Sequence, residues 1–490
     1  MRTQKLGWLL VMLIVTLGLG AQETAESGTG SQDGYEFILG AQQQPAKFMK
    51  SKSFNMLTTD GNTIIAYEMS LGKLTFVRFD KNFTVSQEVV HKAIPKDVVS
   101  MRVKDNTIEG VFSDKNSVVH VSFDKETFAI KKQQVLLTQE KYRKFADKYT
   151  DVFVRYSDNG KYIALLAMWD HKSVALAFNS NHVYLYDENF EQLGYWSLDE
   201  DKRCIGMGSR ENAGNWEHYH PVFDVYDDGT VVYAALHDIA SNLYADLYGT
   251  GSSLNVHILS KDGSQKDYDF GKPAGATKLM YPCIVSFSQN ELVLKANYAR
   301  YPKDGRGYNV NGYKIMKCDL ANKQLKVESF ENSGGMYYCN NSIDGGLPYA
   351  KHIPEVGYML MVNRGFVLIG EDYHYISTQN MGPAYYSNGG PITPATNTES
   401  NSVLFKKFID NKLNWLDYRT NWSSGSKMPY ITTLHFVTYT PGTSTHLNIT
   451  ELYKDESKEI QMIDCCPYSN QENKYLVLIN KCQWADIELK

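Results

Sequence analysis

The sequence lacks any block of basic residues. Its 490 residues carry 50 Lys and Arg against 55 Asp and Glu, which gives a formal net charge of −5. Binding to the phosphates of nucleic acids requires clustered Lys and Arg. The charge distribution therefore argues against a nucleic-acid partner.

Motifs that mark several catalytic and cofactor sites are also missing. The sequence contains no C-x-x-C pair for a zinc ribbon or thioredoxin-like site, and no G-x-S-x-G elbow for a serine hydrolase. The stretch Gly249-Thr250-Gly251 lacks the following Lys of a phosphate-binding loop, and no D-x-[DN]-x-[DN]-G calcium loop occurs. We therefore expect no cofactor.

Long apolar runs are absent outside the N-terminus. Arg2 and Lys5 precede the apolar run from Leu6 to Leu19, and Gly20-Ala21 supplies small residues at a cleavage position. This order is typical of a signal peptide over 1–21, whereas a membrane anchor would need a longer run and a basic flank. We expect a disordered leader over 22–34 and an exported chain in the periplasm, at the cell surface or outside the cell, without a membrane span after cleavage.

Cysteine is scarce, with seven in the whole chain. In an oxidising compartment some could pair, and the odd count leaves at least one free or paired between chains. The local candidates are Cys318 with Cys339 and Cys466 with Cys482. Buried free thiols are the alternative for three or more of the seven.

A repeated pair of β-hairpins dominates the rest of the sequence. In the clearest copy, strands Asp151–Ser157 and Tyr162–Met168 flank Asp158-Asn159-Gly160, and strands 182–186 and 190–198 flank a second turn. Four short strands in this order are typical of one propeller blade. First turns recur at 60–62, 105–106, 158–160, 227–229, 288–290, 363–365 and 470–473, and second turns at 79–83, 123–128, 186–190, 260–263, 318–323, 409–412 and 454–456.

Seven copies of each turn predict an all-β fold, a β-propeller of seven four-stranded blades over residues 35–490. Six or eight blades are the alternatives. A strand at Tyr35–Leu39 would complete the last blade and close the ring, which removes open sheet edges. The excess over a blade of roughly 40 to 50 residues predicts insertions at Asp238–Ser253, Tyr298–Tyr313 and Ser377–Ser402, mostly between second and third strands and so on one rim. A short surface helix is expected over 139–148.

The predicted insertions are rich in tyrosine and asparagine. Flat aromatic faces beside amides suit the binding of glycans or peptides at a small ordering cost. The alternative is a loop held down by its own tyrosines. The candidate ligand-binding residues are Tyr298, Tyr301, Tyr308, Tyr313, Tyr385 and Tyr386.

His218 and His220 form the sharpest local cluster. Two histidines at i and i+2 on a strand point to one face and can share a metal ion; the alternative is that they pack or form hydrogen bonds at the start of a strand. Paired carboxylates of a glycosidase are a further alternative, for which Asp246, Asp304 and Asp372 lie in or near the insertions.

The signal ending at Ala21, the Tyr/Asn/Lys-rich composition and turns such as Phe79-Asp-Lys-Asn-Phe83 resemble exported β-propeller-like proteins of unknown function from Bacteroidota. Ser157-Asp-Asn-Gly-Lys-Tyr-Ile-Ala164 looks like the first hairpin of a WD40 or TolB-type blade, but the Ser-x-Asp-x-Gly-x-x-Trp box of sialidases is absent. The resemblance implies a propeller and transfers no functional residue.

The sequence thus predicts a non-catalytic binding or scaffolding protein, with a glycan or an envelope protein as partner. Two alternatives remain open: a carbohydrate-active enzyme with carboxylates at the central channel mouth, and a structural subunit of an envelope complex.

Overall fold

Short segments of alternating apolar and polar residues, bounded by Asp, Asn and Gly, form β-strands throughout the chain. A computed structural model describes residues 28–32, 35–41, 43–44, 47–50, 54–114, 117–138, 148–172, 177–198, 217–239, 253–273, 278–300, 309–331, 349–362, 365–380, 408–409, 412–421, 430–440, 443–448, 463–471, 473–479 and 482–489. Within these residues the one helical element is the 3-10 turn Lys47–Lys50. None of their helices is long and apolar enough to cross a membrane.

The strands are, in chain order, β1 (Gly28–Gln32), β2 (Tyr35–Leu39), β3 (Phe54–Thr59), β4 (Thr63–Ser70), β5 (Lys73–Asp80), β6 (Val85–His91), β7 (Asp97–Lys104), β8 (Thr107–Ser113), β9 (Ser117–Asp124), β10 (Ile130–Thr138), β11 (Lys148–Tyr156), β12 (Tyr162–Lys172), β13 (Ala177–Asp187), β14 (Gln192–Leu198), β15 (Glu217–Val225), β16 (Val231–Ile239), β17 (Ser253–Leu259), β18 (Gln265–Asp269), β19 (Lys278–Phe287), β20 (Glu291–Arg300), β21 (Asn309–Asp319), β22 (Gln324–Glu331), β23 (Tyr349–Ile353), β24 (Gly357–Val362), β25 (Gly365–Ile369), β26 (Tyr375–Asn380), β27 (Phe408–Ile409), β28 (Lys412–Asn421), β29 (Tyr430–Thr440), β30 (Thr443–Asn448), β31 (Ile463–Pro467), β32 (Lys474–Ile479) and β33 (Gln483–Leu489).

Seven four-stranded antiparallel sheets follow one another along the chain, and we number them blades 1 (β3–β6) to 7 (β27–β30). They confirm the predicted all-β propeller. An additional five-stranded sheet, the closing blade, has the order β1-β2-β33-β32-β31. It joins the two ends of the chain, because β2 pairs with β33 from Tyr35↔Leu489 to Leu39↔Ala485, as the strand at Tyr35–Leu39 predicts.

The closing blade departs from the expectation of a disordered leader over 22–34. Gly28–Gln32 pair with β2 as the fifth strand. Their sequence, GTGSQ, has no apolar side chain to bury. The edge of β2 offers unpaired backbone groups, however, and a ladder of backbone hydrogen bonds forms whatever the side chains.

Two predicted turns belong to other positions in their blades. Ile409–Lys412 joins β27 to β28, so it is a first turn and not a second one, and Asn363–Gly365 lies between the second and third strands of blade 6. The first turn of blade 6 runs from Ile353 to Gly357, where φ is +131° at Gly357. The signal was missed because Pro354-Glu355-Val356 carries none of the Asp-Asn-Gly chemistry of the other turns.

Turns and connections of different length occupy the two faces of the ring. Antiparallel order places the first turn of every blade, between its first and second strands, and its second turn, between its third and fourth strands, on one face, here the short-turn face. The connections between second and third strands, and between blades, lie on the opposite long-connection face. Residues 240–252 and 301–308 join second to third strands, as predicted, but the ends of those predicted insertions belong to β16, β17, β20 and β21. Of the third predicted insertion, Ser377–Asn380 belong to β26, and residues 381–402 lead to the next blade, so its position differs from the prediction although its face does not.

In the second turns of blades 1, 2 and 3 an aspartate is followed by an aromatic residue with positive φ, as in Asp124 and Phe128 of blade 2. Asp124 Oδ1 accepts hydrogen bonds from the backbone N–H of Glu126 and Thr127, at 3.0 and 2.8 Å. Phe128 then has φ of +58°, which is unusual for a bulky residue. Its ring stacks on Phe76 of blade 1, with centroids 5.2 Å apart, and its carbonyl accepts a 2.9 Å bond from His91 Nε2. Contacts between blades therefore stabilise the strained turn.

No disulfide joins the described cysteines, which are all buried: Cys283, Cys318, Cys465, Cys466 and Cys482. The proposed Cys466–Cys482 bridge is therefore wrong, and Cys318 is free as well. Burial raises the pKa of Cys318 to about 12, which keeps its thiol protonated. Cys339, and residues 139–147 of the expected helix, lie outside the described residues; Lys148 begins β11.

Candidate functional site

The structure separates the predicted aromatic ligands that it describes. Tyr298 packs against the apolar cluster between blades 4 and 5, whereas Tyr313 is fully buried in the cluster between blades 5 and 6. The Tyr313 hydroxyl donates a 2.6 Å bond to the Tyr373 carbonyl. The two rings thus lie on opposite faces of one sheet and form no common shelf. Tyr301, Tyr308, Tyr385 and Tyr386 lie outside the described residues.

His218 and His220 lie in β15, opposite Asp238 and Leu236 of β16. Positions i and i+2 share one face of the sheet, which is what the metal prediction requires. Their side chains are not described, so the metal site stays a prediction. Among the side chains that are described, no three of His, Cys, Asp or Glu lie close enough to hold a metal ion.

The acidic candidates divide in the same way. Asp246 and Asp304 lie outside the described residues. Asp372 lies in the second turn of blade 6, where its Oδ1 accepts a 3.1 Å bond from the His374 N–H, and this bond lowers the pKa of the carboxyl. A turn-forming role accounts for these contacts.

Polar side chains do converge between blades 2 and 3. Arg102 lies opposite Glu109, and Glu109 lies opposite Ser122, so all three share the face of blade 2 that packs on blade 3. We call this group the polar seam. It comprises Ser100, Arg102, Glu109, His120 and Ser122 of blade 2 with Tyr156 and Phe190 of blade 3.

Glu109 is the centre of one half of the seam. One carboxylate oxygen pairs with His120 Nε2, and the other accepts a 2.9 Å bond from Ser122 Oγ. Burial raises the pKa of Glu109, but hydrogen bonds and the charge of His120 outweigh it, so the pKa lies below its ordinary value. The Glu109 carboxylate is thus held ionised.

His120 is enclosed by its neighbours. Its ring stacks on Phe190 with centroids 3.6 Å apart, and the residue is 2% exposed. His120 Nδ1 is buried and has no hydrogen-bond partner among the described residues. A general acid or base must reach its substrate, so this Ser–Glu–His group is closed to external chemistry as the blades stand.

Arg102 forms the other half of the seam. Its guanidinium lies 3.8 Å from the centre of the Tyr156 ring, and the Tyr156 hydroxyl lies 2.7 Å from Ser100 Oγ. Arg102 Nε and Nη2 are enclosed but donate to no acceptor in the described part of the chain. The residue as a whole is partly exposed. This arrangement can bind an anion.

Asp224 in β15 of blade 4 lies near the charge of Arg155 in β11 of blade 3. Burial raises the pKa of Asp224 to about 6, and the nearby charge of Arg155 opposes that rise. The Arg155 guanidinium lies 5.6 Å from the centre of the Phe223 ring, and Asp224 Oδ1 accepts a 2.9 Å bond from the Val225 N–H. Glycoside hydrolysis by either common mechanism needs a second carboxyl at a defined distance; the contacts described for Asp224 include none.

Sequence reasoning missed the seam, although a signal is present. Ser100, Arg102 and Lys104 alternate along β7, and Glu109 and His120 interrupt the apolar stretches of β8 and β9. Polar residues at i and i+2 on a central blade face conflict with a purely apolar interface. Which polar groups pair depends on the register between strands, which the sequence does not display.

No protein-family model matches the chain, and no curated protein matches it. Solved structures similar to it include the WD40 domain of SCAP from fission yeast, at 8% identity and a TM-score of 0.37, covering 94% of this chain and 99% of that one. The Nup133 β-propeller domain of Vanderwaltozyma polyspora is 8% identical, with a TM-score of 0.33 and coverage of 95% and 100%. A Synechocystis apocarotenoid oxygenase mutant is also 8% identical, with a TM-score of 0.31 and coverage of 95% and 92%. The likeness concerns the fold, and we draw nothing about function from it.

Proposed function

We propose that this β-propeller is a non-catalytic binding or scaffolding protein that recognises its partner through the long-connection face. The observation that carries the proposal is topological: the connections of 13 residues over 240–252 and of 27 residues over 381–407 both leave the ring on that face. Binding residues are concentrated on loops that a rigid scaffold positions. The propeller supplies the scaffold, and these segments supply the recognition surface.

The short-turn face supports the scaffold role. There, turns of neighbouring blades bond to one another: the Asn159 N–H donates to Asp227 Oδ1 at 2.8 Å, and Arg78 Nη2 donates to the Lys125 carbonyl at 2.7 Å. Lys104 Nζ lies 2.9 Å from Glu188 Oε2. These contacts tie successive blades together and leave the opposite face for partners.

The proposed setting is outside the cytoplasm, in the periplasm, at the cell surface or in the medium. This setting is supported by the signal-like segment 1–21. The tyrosines of the connections support a binding role there. The proposed partner is a glycan or an envelope protein.

A glycan-array screen of the purified chain, with analysis of products for every hit, tests this proposal. We expect binding without turnover, and loss of binding when Tyr301, Tyr308 or Tyr385 is replaced by alanine. The matched control replaces the turn Lys261–Ser264 on the short-turn face by a Gly-Ser turn of equal length; binding should persist. Silence on the array together with no specific envelope protein in a pull-down would contradict the proposal.

Asp224 favours one second candidate, a carbohydrate-active enzyme with its carboxylates near the central channel. A carboxyl with a pKa of about 6 is suited to act as a general acid near neutral pH. This alternative predicts a cleaved product on the array, a rate that falls as pH rises through about 6, and loss of turnover in Asp224→Asn. Binding of the same glycan without product would exclude it.

A further inference from the structure

We propose that the polar seam contains a binding site for a small oxyanion, a carboxylate or phosphate group, centred on the Arg102 guanidinium. Arg102 lies two residues before the end of β7, and Tyr156 ends β11, so the site is near the short-turn face. It is separate from the long-connection face and does not depend on the function proposed above.

Arg102 has a charge without a counter-charge among the described residues. Glu109 lies directly opposite across the β7–β8 ladder, yet its two oxygens are bound to His120 and Ser122. In the described part of the chain no carboxylate lies within ion-pair distance of Arg102, and its enclosed Nε and Nη2 atoms have no acceptor. An enclosed charge without a partner is strongly unfavourable, so an anion at this position would stabilise the seam.

The guanidinium of Arg102 is also held in place by its neighbours. It lies over the Tyr156 ring at 3.8 Å, which favours one orientation of its planar fork. Ser100 Oγ and the Tyr156 hydroxyl lie 2.7 Å apart, and either can donate in that bond. When Tyr156 donates, the Ser100 hydroxyl can donate to a bound anion. Arg102 is partly exposed as a residue, and Nη1 is not among its enclosed nitrogens, so an anion would approach the guanidinium from the Nη1 side.

Arg78 shows what a satisfied arginine looks like in this fold. It too lies over an aromatic ring, that of Phe128, at 5.4 Å. Its Nη1 pairs with Glu126 Oε2 at 2.9 Å, and its Nη2 donates to the carbonyls of Lys125 and Glu126 at 2.7 and 3.1 Å, so that only Nε lacks a partner. Both arginines therefore lie over an aromatic ring, but Arg78 is paired with a carboxylate whereas Arg102 is not.

The chemistry of the fork selects the class of ligand. Guanidinium groups bind two oxygens of one carboxylate or phosphate in parallel, and such charge-assisted bonds are stronger than neutral ones. A halide offers no such pair of oxygens. The site should thus prefer acetate or inorganic phosphate to chloride.

Isothermal titration of the purified full chain tests the proposal, with sodium phosphate and sodium acetate as separate probes and sodium chloride as the ionic-strength control. We expect saturable binding of at least one oxyanion, weakened roughly tenfold or more in Arg102→Gln, since a charge-assisted bond contributes about one factor of ten or more. Arg78→Gln should bind as the wild type does. The phosphate and acetate arms distinguish the two sources of the oxyanion.

Milder variants keep the test decisive if Arg102→Gln fails to fold, which circular dichroism would show. Arg102→Lys retains the charge but loses the fork, and Ser100→Ala removes the hydroxyl; both should weaken binding. Three results would overturn the site: no saturable binding of either probe above the chloride control, equal losses in Arg102→Gln and Arg78→Gln, or unaltered affinity in both milder variants.

Discussion

Blade 2 packs against two neighbours in two different ways. Its face toward blade 1 is apolar and aromatic, with Phe76, Phe112, Phe123 and Phe128 in one cluster with aliphatic side chains. Its face toward blade 3 combines apolar residues such as Val111 and Val118 with the polar seam around Glu109 and Arg102. The two faces come from the same three strands, read at alternate positions. The difference shows that the repeat fixes the geometry of an interface but not its chemistry.

Phe76 of blade 1 and His120 of blade 2 occupy equivalent positions in their blades. Phe76 and His120 each lie four residues before the aspartate of a second turn, Asp80 and Asp124. Each receives the turn aromatic of the next blade, Phe128 stacking on Phe76 at 5.2 Å and Phe190 on His120 at 3.6 Å. A histidine has thus taken a phenylalanine position, and Glu109 accompanies it. Polar groups retained in an otherwise apolar position are expected where function, not stability, sets the residue.

The largest expected effect comes from breaking the apolar interface. Phe76 is fully buried, and the centroid of its ring lies 4.8 Å from that of Phe123 and 5.2 Å from that of Phe128. Phe76→Ala should cost about 3–5 kcal/mol of unfolding free energy because it removes apolar contacts and leaves a cavity. Urea denaturation measures this. The control is Leu71→Ala at a residue that is 98% exposed, where the change should stay within about 0.5 kcal/mol. A loss of unfolding free energy below about 1 kcal/mol in Phe76→Ala would contradict the stabilising role of the apolar interface between blades 1 and 2.

The second effect comes from substitutions that replace polar residues of the seam by apolar ones, as in the interface between blades 1 and 2. His120→Phe alone leaves the Glu109 carboxylate without its strongest partner and should cost about 3 kcal/mol. His120→Phe combined with Glu109→Leu removes the charge as well. Replacing a buried ion pair by apolar residues is often neutral or stabilising, so the double variant should recover most of the loss in urea denaturation. A double variant as unstable as the single one would show that the seam is not interchangeable with the apolar interface.

The third effect is a dependence on pH. The pKa of Glu109 is lower in the folded protein than its ordinary value. Burial raises this pKa, but the hydrogen bond and the charge of His120 lower it by more than burial raises it. The stabilisation is therefore present above the unfolded-state pKa of about 4.3 and is lost as pH falls through the folded-state pKa. Glu109→Gln should cost about 2 kcal/mol at neutral pH, and its unfolding midpoint should converge with that of the wild type in acid. Parallel pH profiles for the two proteins would contradict this.

These residues show how far sequence patterns reach. The hairpin turns, with aspartates such as Asp80, Asp124 and Asp187 bonding the turn backbone, are local and predicted the propeller and the closing strand at Tyr35–Leu39. Glu109 and His120 are 11 residues apart, and Tyr156 reaches Ser100 across 56 residues. Such pairs depend on strand register and on the next blade, which local patterns do not specify.

Tyr313 shows the converse failure. Its neighbours Tyr308, Asn309 and Asn311 suggested an exposed aromatic loop, but β21 begins at Asn309 and buries Tyr313 between blades 5 and 6. A tyrosine suits both a binding loop and a buried interface between blades, because its ring packs against apolar side chains and its hydroxyl can donate to a backbone carbonyl. Composition alone therefore does not separate a recognition loop from a strand.

The smallest expected effect separates the two contacts of Tyr156. Tyr156→Phe keeps the ring under Arg102 but removes the 2.7 Å bond to Ser100 Oγ, so it should cost about 1 kcal/mol. Ser100→Ala should cost a similar amount, and the double variant little more than either one, because the two changes remove the same bond. Urea denaturation of all four proteins closes this cycle. Additive losses would mean that the hydroxyls act separately, and the seam would then lack the fixed donor geometry that sets it apart from the apolar interface on the other face of blade 2.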